Sequence, residues 1–199
     1  GSGSTIGPGG ALYVTEGAVG RISRVDPNTG EVTTFASGLP PSIVGIGGAM
    51  DVTFIGSTAY VLVTLVGPDV GGSSLVGIYR VDSPTSFTVV ANIGQFALAH
   101  PPSTDFFVPT GVQYAIQTHR GAFLVTDGHH NRVLRVTPGG AATALIACGR
   151  GKVTRQTSPT VRAGGVPAKG RTLTSGSLSI SGSAAVLGIT ATPAPLATM

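Results

Sequence analysis

The chain repeats itself, and the repeat limits what it can become. Gly10-Ala11-Leu12-Tyr13-Val14-Thr15-Glu16-Gly17 is answered by Gly121-Ala122-Phe123-Leu124-Val125-Thr126-Asp127-Gly128. Further on, Ser23-Arg24-Val25-Asp26-Pro27 is answered by Leu134-Arg135-Val136-Thr137-Pro138. The offset is 111 residues at both places, so no insertion separates the two halves of the match. A third copy lies between them. It runs Thr58-Ala59-Tyr60-Val61-Leu62-Val63 and then Tyr79-Arg80-Val81-Asp82-Ser83, with extra residues around Gly67–Gly72. Two periods within that offset give a repeat of about 50 residues, the length of one four-stranded propeller blade.

The local pattern agrees. Ala11–Thr15, Arg21–Asp26 and Val32–Ala36 are short, rich in β-branched and aromatic residues, and bounded by turn formers. Pro27-Asn28-Thr29-Gly30 has hairpin chemistry, with proline fixing φ and glycine free to take φ > 0. Ala49–Ile55 and Val112–Thr118 precede the second and third copies and read as inner strands. Val32–Ala36, Phe87–Ala91 and Thr143–Ala147 read as outer edge strands. No segment shows a helical period. The expected fold is all-β, built of blades of four antiparallel strands, about three in number and so incomplete as a closed ring.

Composition sets the limits of this reading. Residues 1–147 hold six basic residues and all eight acids, a net −2, whereas residues 148–199 hold six basic residues and no acid. That break divides the chain into an opening Gly1-Ser2-Gly3-Ser4, set aside as a cloning remnant or fragment start, a partial propeller over 5–147, and a basic Gly/Ser/Thr-rich tail over 148–199. The tail is expected to be poorly structured, or read out of frame. The alternative is a poor fourth blade from Leu173–Ile180 and Ala184–Ala191. Its basic residues are scattered singly and no aromatic residue accompanies them, so nucleic acid is not an expected partner. The longest apolar run, Ala59–Val66, is far short of the roughly 20 residues that span a bilayer. With one cysteine, Cys148, no internal disulfide can form. An open stack of blades leaves faces and edges unpaired, so self-association is expected.

Leu124-Val125-Thr126-Asp127-Gly128-His129-His130-Asn131-Arg132-Val133-Leu134-Arg135-Val136 resembles an NHL-type propeller repeat, with an Asp ending one strand and Asn-Arg-Val entering the next. Together with Gly10–Pro27 and Pro109–Gly140, the chain resembles the ScyD/ScyE family of bacterial propeller proteins over about residues 5–147. The resemblance implies an exported protein, secreted or periplasmic, whose signal segment is not in this sequence. It fixes no activity, because propellers host many.

Chemistry-bearing residues are few. His119, Asp127, His129 and His130 cluster in sequence, but His119 and Asp127 stand at opposite ends of one strand, about 17–20 Å apart. Asp127 reads as a turn aspartate that accepts backbone N–H groups, with Glu16 in its place in the first copy. Arg24, Arg80 and Arg135 share one repeat position, which points to a surface or inter-blade contact. Near the channel, where inner strands begin, stand Asp51, Gln113 and Tyr114, with Asp105 and His100 in the connection before the third copy. A carboxylate beside a histidine can hold a divalent cation and activate water. Asp51, Asp105, His119, His129 and His130 are therefore the candidate catalytic residues, with Asp51 and Asp105 as metal ligands. No Gly-x-Ser-x-Gly, His-Glu-x-x-His or Cys-x-x-Cys occurs, and Gly151-Lys152-Val153-Thr154 lacks the earlier glycine of a phosphate loop. The expected function is a binding or accessory module for an unknown small molecule or protein. The alternative is a hydrolase of small esters or lactones, or a lyase, acting at the channel.

Overall fold

The computed structural model describes residues 1–149 and 152–155. Each repeat forms one antiparallel sheet whose strands follow chain order. The first contains β1 (Ser4–Ile6), β2 (Leu12–Glu16), β3 (Arg21–Val25) and β4 (Val32–Ser37). The second contains β5 (Gly48–Ile55), β6 (Thr58–Thr64), β7 (Gly77–Ser83) and β8 (Ser86–Asn92). The third contains β9 (Gln113–His119), β10 (Ala122–Asp127), β11 (Arg132–Val136) and β12 (Ala142–Gly149), and β13 (Lys152–Arg155) pairs along the outer edge of β12. These are three propeller blades. The repeat is kept at the level of register: Tyr13 faces Arg24, Tyr60 faces Arg80, and Leu124 faces Arg135. The edge strands expected at Val32–Ala36, Phe87–Ala91 and Thr143–Ala147 are β4, β8 and β12.

Turn chemistry sets the hairpins. Between β9 and β10, Arg120 (φ 49°) and Gly121 (φ 71°) both take positive φ, the two-residue turn whose twist matches the strands it joins. Between β3 and β4, Asp26 Oδ1 accepts from the backbone N–H of Asn28 (2.9 Å) and Thr29 (3.1 Å), which closes the turn before Gly30.

Alternation along the strands then builds the core. Side chains of period two turn one face of each blade to the previous blade and the other to the next. Tyr13 from the first blade and Phe54 from the second meet edge-on with centroids 4.7 Å apart, and Phe35 lies 4.9 Å from Tyr13. Leu62 and Ile78 of the second blade pack against Phe123, Val125, Leu134 and Val136 of the third, all buried. Each such side chain contributes about 1.5–3 kcal/mol on leaving water. Polar links cross the same seams. Thr15 Oγ1 donates to Met50 O (3.0 Å), and Thr64 Oγ1 donates to Gln113 Oε1 (2.9 Å) while accepting from Gln113 N (3.2 Å).

Two features differ from the sequence expectation or extend it. A helix, α1 (Ile93–Ala99), follows β8, where no helical segment was expected. It has two turns, too few for a visible period, and Asn92 caps it by accepting from Gln95 N (2.8 Å). Residues 2–4, set aside from the sequence, run along β2. Ser2 N donates to Thr15 O, Thr15 N donates to Gly3 O, both at 2.9 Å, and Ser4 opens the inner strand. The expectations for the tail fall on residues 148–199, which lie outside the described residues except at 148, 149 and 152–155.

Candidate functional site

The inner strands β5 and β9 begin at the same end of the blades at which β2, β6 and β10 finish. A cleft of about 520 Å³ opens there, among Glu16, Val19, Ile46, Gly47, Met50 and Tyr114. Gly17 lets the chain after β2 lie against the connection before β5, since a Cβ on Gly17 would overlap the Gly47 carbonyl oxygen. Val19, Ile46 and Tyr114 are exposed on the cleft wall. The single carboxylate in the lining, Glu16, is engaged. Arg21 donates to it from Nε (3.0 Å) and Nη2 (2.6 Å), and Ser23 Oγ donates to it as well. The Arg21 bonds, followed by the Ser23 bond, hold the Glu16 carboxyl below its ordinary value. Besides Glu16 and the amino group of Gly1, the cleft wall is made of serine hydroxyls, glycine backbone and apolar surface.

The candidate residues named from sequence occupy separate places. Asp51 is half-buried in β5, beside the irregularity in its pairing with β6. Its Oδ1 accepts from Val52 N and its Oδ2 from Ile116 N, both at 2.9 Å, so it ties the second inner strand to the third. Burial pushes its carboxyl above the ordinary value, against the two backbone amides that lower it. Asp105 is exposed in the connection between α1 and β9, and His119 is exposed at the far end of β9. Among the described residues no three His, Cys, Asp or Glu side chains come together as a metal site.

His129 and His130 meet that same connection. His129 Nε2 accepts from the backbone N–H groups of Phe107 and Val108, both at 3.0 Å, and its ring stands edge-on to Phe107. His130 is buried, with Nε2 at 3.1 Å from Val108 O. His130 Nδ1 faces both Arg132 Nη2 (2.9 Å) and Asp127 Oδ2 (3.2 Å); in the neutral ring that burial favours, Nε2 donates to Val108 O and Nδ1 accepts from Arg132. Burial, chiefly, keeps this imidazole below its ordinary value; Asp127 acts against that and Arg132 with it.

Asp127 is the centre of this cluster. Its Oδ1 accepts from Val112 N (3.2 Å) and His130 N (3.4 Å), and its Oδ2 from Arg132 Nε (3.0 Å). Arg132 Nη1 reaches His100 O at 2.7 Å. The group fastens the end of α1 and the chain before β9 to the third blade. Sequence reasoning singled out Asp127 as a turn residue but missed the role of Arg132, which ties that turn to His100, 32 residues upstream in a stretch without pattern. It also missed Val19, Ile46, Gly47 and Met50, whose residue types carry no chemical signal.

Fold and cleft together define a β-propeller module. No protein-family model matches the chain, and no curated protein matches it in sequence. Solved structures align with it at low identity. Virginiamycin B lyase from Staphylococcus aureus is 14% identical over 80% of this chain and 56% of its own, with a TM-score of 0.47. The PQQ-bound aldose sugar dehydrogenase from Streptomyces coelicolor is 20% identical over 69% of this chain and 44% of its own, with a TM-score of 0.45. An auxiliary nutrient binding protein from Bacteroides thetaiotaomicron is 18% identical over 72% of this chain and 35% of its own, with a TM-score of 0.43. The chain thus spans just over half the length of the first of these and less of the other two.

Proposed function

We propose that the chain is a binding or accessory module of an exported, ScyD/ScyE-like protein, and that it holds a small, largely apolar molecule in the cleft where the inner strands begin. The observation that carries this reading is the makeup of the cleft wall. Exposed Val19, Ile46 and Tyr114 supply contact area, and glycine backbone supplies hydrogen-bonding groups. Three of the five candidate catalytic residues hold backbone instead. Both oxygens of Asp51 accept backbone amides, and both histidines of the Gly128–Asn131 turn fasten a loop.

The test is a small-molecule library screened by amide chemical-shift changes. Binders are expected to move the Gly17, Gly47 and Tyr114 amides together, and Ile46→Asp is expected to abolish those shifts. Turnover of a small aryl ester or lactone that disappears in Asp51→Ala would instead favour the hydrolase reading, with Asp51 and Asp105 as its acids.

A further inference from the structure

The two outer faces of the three-blade stack are surfaces that the other blades bury. In the third blade, Phe123, Val125 and Val136 face the second blade and are buried. One repeat offset earlier, Leu12, Val14 and Val25 occupy the same positions on the open face of the first blade. Cross-strand register extends this face into a row: Ile6 pairs with Leu12, Leu12 with Val25, and Val25 with Val32. Four apolar side chains thus stand side by side across the whole sheet, and Ile6 and Val32 are 65% and 63% exposed. At Ser23 the first blade departs from the pattern, since the third has Leu134 there, and that hydroxyl is turned to Glu16.

The opposite face behaves in the same way. In the first blade, Tyr13, Thr15 and Ile22 face the second blade and are buried. Their counterparts on the open face of the third blade are Leu124, Thr126 and Val133. Of these, Thr126 is exposed and the other two are half-buried. One open face therefore repeats the surface a blade presents to its predecessor, and the other repeats the surface it presents to its successor. Inside the chain these two surfaces meet twice.

We propose that two copies of this chain associate head to tail, the open face of the first blade in each copy docking on the open face of the third blade in the other. The contact continues the inter-blade interface already present. The described residues of two copies supply six blades, within the range of about 4–8 at which propellers close, and the two contacts are related by a two-fold axis. This inference is independent of what the cleft holds.

The test uses the full chain in sedimentation equilibrium. The expected result is a concentration-dependent dimer. Val25→Lys, in the middle of the row on the first blade, and Leu124→Lys, on the third, are each expected to weaken it by about 30-fold or more, the scale of a central interface residue. Mixing the two variants is the decisive arm. A mixed dimer keeps one contact free of both substitutions, so the mixture should associate more tightly than either variant alone. That gain also shows that both variants are folded. A mass that stays monomeric at every concentration overturns the proposal. So does a dimer weakened by only one of the two variants, which would mean that like faces meet.

Discussion

Arg132 Nε lies 3.0 Å from Asp127 Oδ2 with both side chains buried, while one repeat offset earlier Arg21 Nη2 lies 2.6 Å from Glu16 Oε2 in a half-exposed position. The pair is the same feature of the blade, closing the hairpin between its second and third strands in both copies. In the third blade the connection carrying His100 and Val108 adds its own bonds and removes water. Desolvated ions depend on their partners, so removing one leaves an uncompensated buried charge. Asp127→Ala is expected to cost about 3–5 kcal/mol. Glu16→Ala is expected to cost far less, because solvent screens that pair. Urea-unfolding midpoints of the two variants check the ordering, and equal losses would mean that the burial difference has no energetic effect.

The neutral His130 makes stability depend on pH in a definite direction. Its folded value lies below the ordinary value of about 6.5, and burial is the first cause. The unfolded chain therefore binds a proton that the folded chain refuses, so stability is full above about 6.5 and falls as the pH drops toward the folded value. In His130→Gln this component is expected to vanish. Thermal unfolding between pH 7.5 and 5 should show a smaller slope for the variant than for the parent protein.

Asp51 has the opposite sign. Its carboxyl is raised by burial, so the folded chain holds the proton longer than the unfolded one. The stability this group contributes is therefore largest in acid and declines as the pH rises through its folded value. Measured against Asp51→Asn, which does not titrate, the parent protein should lose relative stability across that rise. A relative stability that grows with pH would contradict the account of Asp51 as a desolvated group.

How much was visible in the sequence follows from where regularity ends. Offset, strand order and edge strands were legible because Ala11–Thr15 and Ala122–Thr126 repeat the same alternation. The helix was not, because Ile93, Gly94 and Ala97 are its only buried positions and two turns cannot show a period. The inner strand of the first blade hides in Ser4–Ile6, three residues whose strand character comes from pairing with Leu12–Val14. The cleft is least legible of all. Its walls are glycine backbone and scattered apolar side chains, brought together by strand ends that are distant in sequence.

Backbone geometry gives a further contrast. Gly20 and Gly30 both take positive φ, 62° and 72°. A Cβ on Gly20 would overlap the Leu39 carbonyl oxygen, whereas a Cβ on Gly30 would meet nothing within 4 Å. Gly30→Ala should cost only the left-handed backbone penalty, about 1–2 kcal/mol. Gly20→Ala carries that penalty and also displaces the turn that receives the Gly38 and Leu39 N–H groups at its carbonyl. It should therefore unfold at a clearly lower temperature, and equal melting temperatures would contradict the close approach.

The last prediction separates fastening from catalysis at His129. Its Nε2 accepts two backbone N–H groups, from Phe107 and Val108, in the connection that leads into β9. A histidine used this way has its acceptor nitrogen occupied and is unavailable as a general base unless the loop lifts away. His129→Ala should therefore speed amide exchange at Phe107 and Val108 while leaving exchange in β10 and β11 unchanged, because those strands are held by their own ladder. Ligand-induced shifts at Gly17 and Gly47 should survive, since His129 does not line the cleft. If His129→Ala instead leaves loop exchange as it was and abolishes a chemical activity of the chain, the residue belongs to a reaction site and the fastening role is wrong.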